Sequence, residues 1–325
     1  MPVLRQPPRH RGPRLPPGER VPALNPPTPA AGGGLDEDAA LAVLAQGTIE
    51  VLGRLDDASN ATLLASVSLD GVDHLAVYKP TAGERPLWDF PTGTLGAREA
   101  AAYALSRAAG WDVVPPTLVR DDAPFGPGSL QWWLDAGDDA DGDPLVPEPG
   151  AELIDIVPPS QVPPGWLRVL DAEDGRGRPV VLTHADDPVL RSLALFDAVA
   201  NNADRKGGHV LAGRLVAPAA ARSEAAEGPV SVRGIDHGLT FHPDPKLRTV
   251  LWGWAGRRFD DTEAATLGDL AEQLEAGAAG PLAPLVDLLS AEDVSALRTR
   301  LTRLRRAGRF PRPLPGMPPI PWPPF

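Results

Sequence analysis

Proline and glycine punctuate this chain so heavily that they decide where it can fold. Many of its 40 prolines and 33 glycines lie at the two ends. Proline fixes φ and has no N–H to give, so it is excluded from helix and sheet interiors. Residues 1–35 are rich in Pro, Arg and Gly and close in Ala31-Gly32-Gly33-Gly34. Such a segment buries too little apolar surface to offset its ordering entropy, and disorder is expected there. The closing run, Pro311 to Phe325, reads PRPLPGMPPIPWPPF. It is expected to be extended and polyproline-like. A plain tail is the first expectation. The alternatives are a strap that docks Trp322 and Phe325 on the body, or a segment that docks a partner protein.

Between these ends the patterning predicts two parts, 36–134 and 135–310. A short helix is expected near Glu37–Ala45, then strands at Thr48–Leu55, Ala61–Leu69 and Val72–Lys79. Asp70-Gly71 joins the last two as a tight hairpin, because such turns need positive φ. Thr94 is placed to cap a helix over 96–109, with Gly110 as its stop. Val113–Val119 and Ser129–Leu134 complete a five-strand sheet with one inserted helix. An acidic connector runs from Asp135 to Gly150. A helix over 188–200 starts at Asp187-Pro188, cap and first position. Two short strands, 209–212 and 230–235, flank an Ala-rich insertion. Helices are expected at 263–275, 281–289 and 292–305. No internal repeat is present.

The net charge is −12 and there is no cysteine. An acidic chain is unsuited to general nucleic-acid binding. Without thiols there are no disulfides, thiolate nucleophiles or Cys-ligated metal centres. No apolar run reaches membrane-span length, and prolines occupy the place of a signal-peptide core. A soluble, cytoplasmic protein is expected.

Only three of the 31 basic residues are lysine: Lys79, Lys206 and Lys246. A lysine kept in so arginine-biased a chain suggests a local task, and its compact charge suits phosphate. Phosphoryl transfer from ATP needs a cation on the phosphates, metal-binding carboxylates and an acceptor-orienting carboxylate. Lys79 ends the second hairpin strand, with Val77 two residues earlier on the same face as a possible adenine floor. Glu99, on the following helix, could hold Lys79; the alternative is a solvated first-turn glutamate. The loop Asp56-Asp57-Ala58-Ser59-Asn60 lies where a phosphate-covering loop would sit. It lacks the usual glycines, leaving Ser59 and Asn60 as donors or the loop as a plain turn. Asp204, Lys206 and His209 follow the spacing of a kinase catalytic loop, with His209 in place of asparagine. Asp236, after an apolar strand and before His237-Gly238, fits a metal-binding carboxylate. Each alone also reads as a polar turn, and His237 and His242 read as loop residues.

The run Leu195-Phe196-Asp197-Ala198-Val199-Ala200-Asn201-Asn202-Ala203-Asp204-Arg205 resembles the catalytic loop of phosphatidylinositol 3- and 4-kinases, type II 4-kinases above all. Ile235-Asp236-His237-Gly238-Leu239-Thr240-Phe241 is similar to their IDNGLAF segment, and Leu251-Trp252-Gly253-Trp254 to the aromatic run that follows. The chain also resembles actinobacterial kinase-like proteins of the SCO type. The resemblance spans roughly residues 45–305 and its specific motifs sit in two short blocks. It implies an α+β, bilobal protein-kinase-like fold, with an N-terminal antiparallel sheet carrying one helix and a mainly helical C-terminal lobe. It makes Lys79 the nucleotide lysine, Glu99 its partner, Asp204 and Lys206 catalytic, and Asp236 and His209 the metal residues. Gln131, Trp132 and Trp133 become the adenine hinge, and Asp197 a brace for the catalytic loop. The implied ligands are ATP and magnesium, with manganese as an alternative. The acceptor is expected to be a protein or small-molecule hydroxyl. Lipid is less favoured, since no basic and apolar cluster is present. A nucleotide-binding pseudokinase scaffold is the alternative, favoured by His209 and the acidic loop.

Overall fold

The computed structural model describes residues 36–55, 61–91, 93–135, 150–215 and 230–325. The tail 1–35, the loop with Ser59 and Asn60, most of the acidic connector and the Ala-rich insertion lie outside the described residues.

Helix α1 (Glu37–Gln46) starts where the Asp36 carboxylate accepts from the N–H groups of Asp38 and Ala39, a cap worth about 1 kcal/mol. Strands β1 (Thr48–Arg54), β2 (Leu63–Leu69) and β3 (Val72–Pro80) follow. Asp70 and Gly71 both have positive φ, 53° and 77°, as a two-residue hairpin turn of this hand demands. That turn sets Leu69 opposite Val72 and Leu63 opposite Tyr78. Helix α2 (Leu95–Ala108) and strands β4 (Thr117–Arg120) and β5 (Gly128–Trp132) complete an antiparallel sheet of order β1-β2-β3-β5-β4. Lys79 pairs with Ser129, and Val77 with Gln131. Ala40, Val43 and Leu44 of α1 share a small core with Ala65, Val67, Ala76, Tyr78, Leu130 and Trp132 of the sheet.

The second half opens with strands β6 (Ile154–Val157), β7 (Leu167–Glu173) and β8 (Pro179–His184), an antiparallel sheet of order β6-β8-β7. Helix α3 (Pro188–Ala200) follows, capped by the Asp187 carboxylate and closed by Asn201 in the left-handed region. Strands β9 (Val210–Gly213) and β10 (Ser231–Gly234) pair with each other. Helices α4 (Asp261–Glu275), α5 (Ala283–Leu288) and α6 (Ala291–Ala307) end the fold. Leu193, Leu195, Phe196 and Val199 of α3 are fully buried, in one core with residues of α2, α4 and α6. Burying each large apolar side chain stabilises by roughly 1.5–3 kcal/mol.

The architecture is therefore α+β, with the antiparallel sheet first and helices last. Four details differ from the sequence expectation. The sheet β6-β8-β7 was not anticipated. Strand β4 starts only at Thr117, because Pro115 and Pro116 have no N–H for a ladder. Thr94 sits at the start of α2, but its hydroxyl donates to Pro91 O. The carboxylate of Glu84 does the capping instead, accepting from the N–H groups of Gly93 and Gly96. Finally, the closing run is not a plain tail but the alternative strap: residues 319–325 lie on the body, with Ile320, Pro321 and Pro324 buried, while Trp322 stays outside, 55% exposed.

Helix α2 is tied to the second half. Arg98 is buried, donating to Thr240 O at 2.6 Å and pairing with Asp293 of α6 at 3.0 Å. This anchor is one residue from Glu99.

Candidate active site

Lys79, at the end of β3, reaches two carboxylates from separate elements. Its Nζ lies 2.6 Å from Glu99 Oε1 on α2 and 3.1 Å from Asp236 Oδ1 beyond β10. Glu99 is 2% exposed, so it is no solvated first-turn residue. Asp236 takes positive φ, 57°, a conformation that costs a non-glycine residue energy and clusters at functional sites. Its other oxygen lies 3.3 Å from His209 Nε2. Asp204 stands close by: its backbone N–H donates to Asn202 Oδ1, and its Oδ2 is 3.3 Å from Lys206 Nζ. Lys79 and Asp236, 157 positions apart in sequence, thus meet in one cluster.

The electrostatics follow from this crowding. Burial works against the Lys79 ammonium, but Asp236 and then Glu99 outweigh it and raise its pKa. Lys79 in turn holds the Asp236 carboxyl well below the ordinary range, although burial opposes it. Burial raises Glu99, and Lys79 opposes that. Burial also lowers His209 to about 4, so its imidazole is neutral near pH 7 and its contact with Asp236 is no ion pair. Asp204 is raised by burial, partly offset by Lys206. A raised carboxylate beside a cation suits a group that takes a hydroxyl proton.

One residue without an assigned role in the sequence organises the loop. Arg205 is wholly buried and pairs with Asp197, which is also at 0% side-chain exposure, at 3.0 Å. Its Nη1 donates to His209 O and Ile235 O, and its Nη2 meets His237 Nε2 at 2.8 Å. Asp197 also accepts from Asn202 Nδ2 and Thr249 Oγ1. Asp197 is thus a brace, as the resemblance implied, and Arg205 spreads that brace to both loops that carry the site. His237 lies in the loop after β10, as expected, and there it is a buried partner of Arg205. The arginine in the catalytic-loop motif was the available signal, but its partners lie up to 32 residues away.

The remaining expectations divide. Ser59 and Asn60 lie outside the described residues. Their flanks do lie at the Lys79 end of the sheet: Leu55 N–H donates to Thr62 O, and Ala61 N–H to Gly83 O. Val77 is half-buried within β3. Gln131 is buried, its side-chain amide donating to Thr117 Oγ1. The backbone N–H groups of Trp132 and Trp133 donate to Pro116 O and Leu75 O. Both backbone donors expected to read adenine are thus committed within the protein. Among the described residues, no three His, Asp or Glu side chains converge as a ready metal cage. Asp236 and His209 supply two adjacent donors, and His209 Nδ1 is buried without a partner. Magnesium commonly uses one or two carboxylates and completes its shell with phosphate and water. Asp236 fits that pattern; the nitrogen of His209 is less suited to magnesium, which takes oxygen ligands.

An antiparallel sheet bearing a lysine–glutamate pair, set against an aspartate loop from the second half, defines the class of site. The chain is 50% identical over 234 residues to Protein Rv2133c of Mycobacterium tuberculosis, a match covering 72% of this chain and 78% of that protein. It belongs to the same family as that protein. No family model matches the chain, so the phosphatidylinositol-kinase resemblance rests on its two motif blocks. Three solved structures share its outline at 10–14% identity. Hydra Fam20 with sugar gives a TM-score of 0.47, covering 84% of this chain and 88% of that one. The Helicobacter pylori proinflammatory kinase CtkA gives 0.41, covering 82% and 94%. The Shewanella oneidensis HipA–HipB–operator complex gives 0.36, covering 90% and 73%.

Proposed function

We propose that the protein is an ATP- and metal-dependent phosphotransferase, phosphatidylinositol-kinase-like in its motifs, acting on a protein or small-molecule hydroxyl. The observation that carries this reading is the meeting of Lys79 with both Glu99 and Asp236. In this reading Glu99 orients Lys79 toward the phosphates. Asp204 orients the acceptor hydroxyl and accepts its proton as the oxygen bonds to the γ-phosphorus and the bond to the leaving ADP breaks. Lys206 offsets charge on the transferred group. Asp236, with His209 beside it, would hold a divalent cation, whose chemistry is to neutralise phosphate charge.

Asp204→Ala and Asp236→Ala should abolish ATP turnover, measured as ADP released by the purified protein. Wild-type rates in both variants would overturn the assignment of these carboxylates.

A second reading has its own observation: both oxygens of Asp236 are engaged, one by Lys79 and one by His209. A pseudokinase scaffold that binds nucleotide without transfer would retain such an arrangement. Thermal unfolding with ATP and magnesium separates the two, because a ligand selective for the folded state raises Tm. A shift without turnover supports the scaffold. No shift counts against both.

A further inference from the structure

Residues 319–325 run back across the body at two anchors. The carbonyl of Pro319 accepts from Thr249 N–H at 3.2 Å and from Trp252 Nε1–H at 2.6 Å. The carbonyl of Pro324 accepts from Gly207 N–H at 2.7 Å. The Phe325 ring fills the space that a Cβ on Gly207 would occupy, and it also rests near Gly150. Glycine at 207 is what this approach requires.

Both anchors bear on the candidate site. Thr249 Oγ1 donates to Asp197, Val250 N–H donates to Arg205 O, and Arg205 N–H donates to Arg248 O. The first anchor therefore grips the strip that clamps the catalytic loop. The second lies within the single 3₁₀ turn Gly207–His209, closed by His209 N–H on Lys206 O at 3.2 Å. That turn has Lys206 at its entrance and His209 at its exit. With the strap in place, Lys206 still meets Asp204 and His209 still meets Asp236. A segment that blocked the site would be expected to disturb those contacts.

We infer that residues 319–325 are a positioning element of the site, with Pro324 and Phe325 holding the Lys206–His209 turn so that the Lys206 ammonium stays on Asp204. Phe325 acts through Gly207, with no polar side-chain atom to offer a substrate. The inference rests on the phosphotransfer reading. A displacement of about 1 Å at a reacting group can lower a rate by about 100-fold, so a loosened turn has a measurable consequence.

The test uses the full chain, Phe325→Ala, Phe325→Leu and a deletion of 319–325. Hydrogen exchange at the Gly207 amide is measured beside kcat and the KM for ATP. In Phe325→Ala and in the deletion, exchange at Gly207 should quicken by about tenfold or more and kcat should fall by a comparable factor. The KM for ATP should stay within about twofold, because Lys79 and Glu99 are held from β3 and α2. Phe325→Leu should recover most of the rate. Unchanged exchange at Gly207 overturns the inference, since the strap then does not hold the turn. Quicker exchange with an unchanged or higher kcat also overturns it, since the turn then needs no support. An intact chain without Asp204-dependent turnover is a different result: it removes the phosphotransfer reading, and this role with it.

Discussion

The molecule contains two clusters of opposite charges, and they are built in contrary ways. Around Arg205 and Asp197 both side chains are at 0% exposure, and neighbouring carbonyls, His237, Asn202 and Thr249 supply further partners; the gap lies outside the pair itself, at His237 Nδ1, buried without a partner. Around Lys79 the arrangement is open. Asp236 keeps 40% of its side-chain surface, takes a left-handed backbone conformation, and has as neighbours Glu99 Oε2 and His209 Nδ1, both buried without partners. A saturated buried pair is a framework, costly to break. An unsaturated one, partly exposed and on strained backbone, has capacity left for a ligand. The two are joined: Arg205 donates to Ile235 O and His209 O, the residues that precede Asp236 and face it. The closed cluster is how this fold holds the open one in shape.

The largest expected effect tests the framework. Arg205→Ala leaves Asp197 buried and unpaired, a loss of about 3–5 kcal/mol from a total stability that is on the order of 5–15 kcal/mol in most domains. The urea midpoint should fall sharply, or the chain should fail to fold. A wild-type midpoint would erase the distinction between the two clusters.

Asp204→Asn sharpens the comparison from the open side. Turnover should fall by about 10²–10⁴-fold, while the urea midpoint stays level or rises. Its sign follows from the raised carboxyl of Asp204: burial disfavours the charged form, so a neutral isostere removes a cost. A midpoint well below wild type would place Asp204 in the framework instead.

Much of the open cluster was legible in the sequence, and little of the closed one was. Lys79, Asp204 and Asp236 sit in local strings whose residue types suit phosphate and metal, so short motifs reveal them. Turn chemistry was legible for the same reason: Asp70-Gly71 and Asp187-Pro188 carry their instructions within two residues. Arg205 was not legible, because its task is set by Asp197, His209, Ile235 and His237 arriving from separate elements. The sheet β6-β8-β7 was obscured by prolines at 158, 159, 163 and 164, which read as loop, and by Pro179 at the first position of β8, where a strand tolerates it. Glu84 as the cap of α2 was hidden by its distance, since a cap is sought next to the helix. Docking of Phe325 stood as the alternative to a plain tail, but its seat on Gly207 was hidden, because the two residues are far apart in the chain.

A third prediction concerns a neutral counterpart of the framework. His184 is wholly buried. Its Nε2 accepts from Gly253 N–H at 3.1 Å, which places the proton on Nδ1, donating to Ala185 O at 2.8 Å. Burial lowers its pKa to about 4, against an ordinary value near 6.5. Between those values the unfolded chain binds a proton that the folded chain refuses, so stability falls as pH drops from about 6.5 to about 4. The full effect is on the order of 3 kcal/mol. His209 and His237 are lowered by burial as well and add slope in the same direction. Tm measured from pH 7 to pH 4.5 should therefore decline, and less steeply in His184→Gln. Equal slopes would show that His184 is not held neutral.

The smallest expected effect lies between the two extremes. Lys246, the third lysine, pairs with Asp89 at 2.8 Å, with side-chain exposures of 14% and 16%. It also stands 5.0 Å from the ring of the exposed Trp88. Its backbone N–H is held by Asn201 Oδ1, and His242 Nε2 lies 2.8 Å from Asp89 O. The pair thus latches the connection between β3 and α2 to the segment that follows Asp236. It is too sheltered to be a solvated surface pair and too open to be part of the framework. Exposed pairs contribute about 0–1 kcal/mol, and a cation over an aromatic ring adds about 0.5–1 kcal/mol at an exposed site. A double-mutant cycle on Lys246→Ala and Asp89→Ala should give a coupling of about 1 kcal/mol. A latch that matters to the site should also raise the KM for ATP in both single variants, because Glu99 and Asp236 flank the joined segments. Coupling near zero with unchanged KM would reduce Lys246 to a surface contact and leave Arg98–Asp293 as the tie that holds α2 to the second half.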